Sequence, residues 1–171
     1  MLLSPLLLEH LPVPVALYPL NGRHGTSDIG PNKNPPGIQS DVHLAPGPNG
    51  HPQGSYQFSG SFTSYIEIPN NGSLDTRHSI TVLAWVNREN EKGPIFHYLP
   101  TGWGFHFWLV QTGVVFASSP NWAVWLLSPT PIPLNSWCYV GITYDFSSGI
   151  AKGWVNGQRV SEVRQMLQLK K

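Results

Sequence analysis

Three groups of residues in this 171-residue chain have types and spacings that could do chemistry. The first is His97, His106 and Trp108. Two facing imidazoles supply two nitrogen ligands, fewer than a transition-metal site takes. Beside an indole they would instead form a platform on which the apolar face of a sugar stacks, with hydrogen-bonding groups at its edge. The plainer alternative is a polar pair on a sheet face next to a buried tryptophan. The second group is Asp28, Asn32 and Asn34, whose side-chain oxygens are the kind that Ca²⁺ gathers from a loop. Asp28 is the only carboxylate there until Asp41, and the same residue types are ordinary turn formers. Asp145 has the same two readings and is taken as a turn residue. The third group is Glu89 and Glu91, the nearest approach to the carboxylate pair of a glycosidase. They sit in a polar run, residues 87–93, which reads as a solvated connection and not as a lined cleft. No catalytic residue is assigned. Cys138 alternates with Val140 and Ile142 and reads as a small buried hydrophobe. Asn71-Gly72-Ser73 is an N-glycosylation sequon in a turn, usable only if the chain enters the secretory route.

The elements that must position these residues are short and β-like. Residues 15–20 read as a first strand. Residues 21–53 are loop-like, rich in Gly, Pro, Asn and Ser, with residues 42–44 as one apolar island. Residues 55–58 and 64–68 alternate, placing Tyr56 with Phe58, and Ile66 with Ile68. Residues 79–86 carry Ile80, Val82, Ala84 and Val86 on one face and Thr81, Leu83 and Trp85 on the other, which predicts a central strand covered on both sides. Residues 94–98 and 103–108 flank a turn as a hairpin. Symmetric pairing sets His97 opposite His106 and Ile95 opposite Trp108, with Phe96, Tyr98, Phe105 and Phe107 on the reverse face. Two more short strands are expected at 114–117 and 122–127, followed by a Pro-rich loop at 128–134. In residues 137–145, Cys138, Val140, Ile142 and Tyr144 alternate with Trp137, Tyr139, Gly141 and Thr143. Strands at 150–155 and 158–163 meet at Asn156-Gly157, a type I′ hairpin signal.

Composition bounds the class. Charged residues make up 11% of the chain, well under the usual share of about 25%, and hydrophobic residues 40%. Such a chain has the means to fold. Seventeen Gly and seventeen Pro break it into short segments, as in an all-β sandwich. The net charge of +1 leaves no basic stripe for nucleic acid. A single cysteine allows no intrachain disulfide. The apolar start lacks a basic n-region and a small-residue cleavage site, so it is a poor signal peptide, and it is too short to span a membrane.

Five blocks, in order, carry a resemblance: Ala16-Leu-Tyr-Pro-Leu20; Gly54-Ser-Tyr-Gln-Phe-Ser-Gly60; Ser64-Tyr-Ile-Glu-Ile-Pro69; Ser79-Ile-Thr-Val-Leu-Ala-Trp-Val86; and residues 137–145 with Trp154-Val-Asn-Gly157. Together they resemble the laminin G-like and pentraxin-like group of concanavalin A-like jelly rolls. The resemblance implies a two-sheet antiparallel sandwich, in an extracellular protein or the ectodomain of a larger one. It implies recognition of glycans or extracellular proteins, with Ca²⁺ as an optional cofactor, and not catalysis. A glycoside hydrolase on the same architecture, or a non-functional truncated fragment, stands as the alternative. On this reading residues 1–14 are an apolar extension, 15–163 a jelly-roll domain short of its C-terminal strands, and 164–171 a tail outside the family pattern.

Overall fold

A computed structural model describes residues 12–75, 78–90, 92–98, 105–110, 114–119, 124–128 and 131–164. Among the described residues every regular element is a strand, and every strand pairing is antiparallel. The chain divides into two compact units, Met1–Asp75 and Thr76–Lys171.

The first unit holds β1 (Ile38–Ser40), β2 (Val42–Ala45), β3 (Ser55–Phe58) and β4 (Tyr65–Glu67). β2 pairs with β3 so that Val42 faces Phe58, and β1 pairs with β4 so that Ser40 faces Tyr65. Only Asp41 separates β1 from β2, whereas residues 59–64 separate β3 from β4. The two ribbons thus form one long hairpin from which a six-residue loop is extruded opposite a single residue, an exaggerated bulge. Asp41 turns the corner with a φ of 46°, a conformation Asp tolerates better than most residues. It also closes the neck of the loop: its carboxylate accepts from Ser59 Oγ at 2.8 Å and its carbonyl from Ser64 Oγ at 2.6 Å.

Residues 15–20 do not form the expected strand. Pro14 and Pro19 supply no N–H for a ladder. The backbone groups between them are paired with side chains: Leu17 N–H donates to Asp28, and Val15 C=O accepts from Asn32 and Asn34.

The second unit is a sandwich of two four-stranded sheets. One has the order β12 (Gln158–Arg164), β11 (Ile150–Val155), β10 (Trp137–Asp145), β5 (Ile80–Asn87); the other β6 (Gly93–His97), β7 (His106–Val110), β8 (Val114–Ser119), β9 (Val124–Leu127). Alternation in β10 drives Cys138, Val140, Ile142 and Tyr144 inward to meet Phe105, Phe107 and Leu109 from the other sheet. Ile132, 2% exposed, plugs this core from the Pro-rich connection, and Arg88 Nε holds its carbonyl at 2.5 Å. The Asn156-Gly157 turn forms as its sequence demands, with φ of 49° and 77°. Asn156 also accepts from Tyr139 N–H at 2.9 Å, which ties the hairpin to β10.

Two expectations in this unit are corrected. Ile95 does not face Trp108; Pro94 does, because the register shifts between Pro94 and Phe96. A proline cannot donate to the ladder, and the strand bulges past it. β5 is not covered on both faces either. It ends its sheet, and Leu83 and Trp85 stand 50% and 54% exposed.

Candidate functional site

The ribbon of β6 and β7 positions the histidine group. Phe105, Phe107 and Leu109 are buried, so the alternate residues His106, Trp108 and Val110 face outward. Beyond the bulge the register restores His97 opposite His106, as the spacing predicts. Their ring centroids lie 4.2 Å apart with planes at 39°. Trp108 stands 6.2 Å from His97, nearly edge-on, and 6.4 Å from His106. Burial and then the neighbouring His106 push the His97 pKa below its ordinary 6.5, so the ring is neutral at pH 7. A neutral imidazole offers one donor and one acceptor, which suits hydroxyl ligands. The buried Trp108 Nε1 finds no hydrogen-bond partner among the described residues. Among those residues no three His, Cys, Asp or Glu gather as a metal-holding group.

The structure also brings Asp28, Asn32 and Asn34 together, in the first unit. Asp28 Oδ1 accepts from the N–H of Leu17 at 2.8 Å and of Gly30 at 2.7 Å. Its Oδ2 accepts from the Asn34 backbone at 2.9 Å and from Asn34 Nδ2 at 2.7 Å. Burial by itself would raise this carboxyl, but the N–H groups of Leu17, Asn34 and Gly30 and the Asn34 amide outweigh it and hold it at about 2. Asn32 and Asn34 turn their amide nitrogens to Val15 C=O, and Asn34 Oδ1 accepts from the Ser73 hydroxyl. A calcium ion needs a shell of oxygens. Here the carboxylate is ringed by donors, so these residues as arranged do not fit a cation. They form a clasp between residues 15–17, 28–34 and 73.

The remaining candidates are placed as follows. Asp145 is exposed and accepts from the backbone and hydroxyls of Ser147 and Ser148; those bonds hold it at about 2 and make it a turn residue. Glu89 is exposed just past β5, and Glu91 lies outside the described residues. Cys138 is 2% exposed within the core. Asn71 is exposed, and its Oδ1 accepts from Ser73 N–H at 3.2 Å and Ser73 Oγ at 2.6 Å.

Two surfaces were not singled out from the sequence. On the outer face of β5 and β10, Trp85 packs against its cross-strand partner Tyr139 at 5.2 Å. Leu83 beside it fills the space that a side chain at Gly141 would take, 2.4 Å from a Cβ placed there. The alternation had already put these residues on one face; only three-dimensional pairing reveals that the face is open. The second surface is Phe62, 97% exposed at the tip of the extruded loop. A lone Phe among Ser and Thr is a weak signal in sequence, and what sets it apart is the closed neck beneath it.

Comparisons with known proteins bear on the family of the chain. A laminin G-type family model, described as the concanavalin A-like lectin/glucanases superfamily, matches residues 58–170. That is well over half of the chain, which therefore belongs to this superfamily. A comparison with curated proteins gave no match. Among solved structures, a Bacteroides ovatus protein provisionally described as carbohydrate binding aligns with 18% identity and a TM-score of 0.43. The alignment covers 51% of this chain and 26% of the other, so the chain spans about a quarter of that protein's length. No helix among the described residues is long and apolar enough to cross a membrane.

Proposed function

We propose that the protein is a non-enzymatic, extracellular recognition module that binds glycans through His97, His106 and Trp108. The observation that carries this reading is the ring cluster itself. Three aromatic groups lie within 4.2–6.4 Å of one another on the outward side of a ribbon whose inward side fills the core. Trp108 supplies a surface for the C–H face of a pyranose, and the ring nitrogens of His97 and His106 supply hydrogen-bonding partners for its hydroxyls. Superfamily membership supports a lectin-type module but is shared with glycosidases. A binding role is favoured because Glu89, the member of the Glu89 and Glu91 pair that lies among the described residues, is exposed just past β5.

The test is a glycan array on the purified chain, followed by calorimetry on the best ligand, with and without EDTA. Binding should survive EDTA, since the clasp around Asp28 meets its carboxylate with N–H groups. His97→Ala and Trp108→Ala should each weaken binding at least tenfold. Trp85→Ala should leave it unchanged; loss of binding in that variant alone would move the site to the open face of β5 and β10. Hydrolysis of an arrayed glycan would overturn the non-enzymatic reading.

A further inference from the structure

We infer that Asn71 is an N-glycan acceptor whose modification must precede closure of the Asp28 clasp. No other Asn in the chain has Ser or Thr two positions later, so Asn71-Gly72-Ser73 is its one sequon. The site is open. Asn71 is exposed, Gly72 has a φ of 98°, and a Cβ at Gly72 would meet nothing within 4 Å. The Asn71 carbonyl oxygen is turned inward to Ser73 N–H and Oγ, so the amide nitrogen, where a glycan attaches, is directed away from that turn. The neighbouring Asn70 makes a similar turn, accepting from Gly72 and Leu74 N–H, but has Gly72 where a sequon needs a hydroxyl.

The order of events follows from Ser73. In the folded chain its one hydroxyl proton is shared between Asn71 Oδ1 and Asn34 Oδ1, and Asn34 in turn donates to Asp28. The second half of the sequon is thus part of the clasp. Ser73 is exposed, so what folding removes is not access but the free hydroxyl: a transferase that must engage both Asn71 and the Ser73 hydroxyl finds that hydroxyl unengaged by the clasp only before residues 28–34 fold onto residue 73. The transfer joins Asn71 Nδ2 to the anomeric carbon of an oligosaccharide carried on a lipid pyrophosphate. The carbon–oxygen bond to the pyrophosphate breaks, the lipid pyrophosphate leaves with that electron pair, and the amide nitrogen gives up one proton to solvent. No oxidant or reductant is involved.

The test routes the full chain into the secretory lumen of a mammalian cell behind a cleavable leader. Lumenal and secreted pools are both collected and treated with peptide N-glycosidase F. The wild type should show a gel shift that the enzyme removes, leaving an aspartate at position 71 by peptide mass. Asn71→Gln and Ser73→Ala should lose the shift and Ser73→Thr should keep it. In a second arm, folded unglycosylated chain is incubated with purified transferase and lipid-linked oligosaccharide, beside the same chain held unfolded in mild denaturant. Only the unfolded chain should be modified. An unmodified Asn71 in the lumenal pool would overturn the acceptor assignment. Equal modification of folded and unfolded chain would overturn the order of events. Both readouts are independent of whether the chain itself binds a glycan.

Discussion

The two units of this protein are built on opposite terms. Among the described residues, every buried hydrophobic side chain, from Ile80 through Phe107 and Val140 to Ala151, belongs to the second unit. The first unit buries Thr26, Asp28 and Asn34 instead, at 5–7% exposure. The second is a laddered sandwich that excludes water from an apolar core. The first is short ribbon plus loop, drawn together by side chains that complete the hydrogen bonding of irregular backbone. Burial of apolar area is diffuse and tolerant, whereas a buried carboxylate meeting several N–H groups depends on one residue. The contrast teaches that loops in this chain are held by specific polar clasps, while the ring cluster proposed to bind glycans rests on the apolar sandwich.

The largest expected effect tests the sandwich. Phe107 is fully buried between the sheets, and Phe107→Ala should cost about 3–5 kcal/mol, read as a lowered denaturation midpoint. A loss below about 1 kcal/mol would mean that the core is not what holds this unit. Next comes the clasp. Asp28→Ala leaves the N–H groups of Leu17, Gly30 and Asn34 without their acceptor. The Gly30 and Asn34 bonds are buried and the Leu17 bond is partly so; at about 1 kcal/mol or more for each unmet buried donor, the cost should be at least about 2 kcal/mol, with faster hydrogen exchange at those three amides. Unchanged exchange there would remove the contrast between the units.

Acid should separate the units by pH. The His97 pKa is lowered in the fold, so the unfolded chain takes up its proton first. That contribution is intact above 6.5 and is lost as pH falls from 6.5 toward the lowered folded value. Asp28 is lowered from 3.8 to about 2, so the clasp contributes fully above 3.8 and fails as pH falls from there toward 2. The His97 ring signals followed by NMR should therefore respond only below pH 6.5, and the amides of Leu17, Gly30 and Asn34 only below pH 4. The reverse order would contradict the account. Smallest is the turn: Gly157→Ala places a Cβ at a φ of 77° and should cost about 1 kcal/mol without disturbing the register of β11 and β12.

How legible each region was follows from the same contrast. The strands of the sandwich were readable because alternation, turn residues and the Asn156-Gly157 signal are local. Even the His97–His106 pairing followed from counting outward from the turn. What the sequence could not show was the bulge at Ile95, which depends on how the ladder absorbs Pro94, or the open face of Leu83 and Trp85, which depends on β5 ending its sheet. In the first unit, residues 15–20 carry the apolar pattern of a strand, yet their pairing is decided by Asp28, Asn32 and Asn34. Those residues were noticed for their oxygens. Their role as a clasp rests on the contacts that reach residues 15–17 and 73, which span 11 to 39 residues and which no local pattern encodes.

The most direct test of the central claim is calorimetric titration of the best arrayed glycan into the wild type and into the His97→Ala/His106→Ala double variant, with folding of both checked by near-ultraviolet circular dichroism. The account predicts saturable, EDTA-insensitive binding by the wild type and its loss in the folded double variant. Equal binding by both proteins, or no glycan bound by a folded wild type, would contradict it.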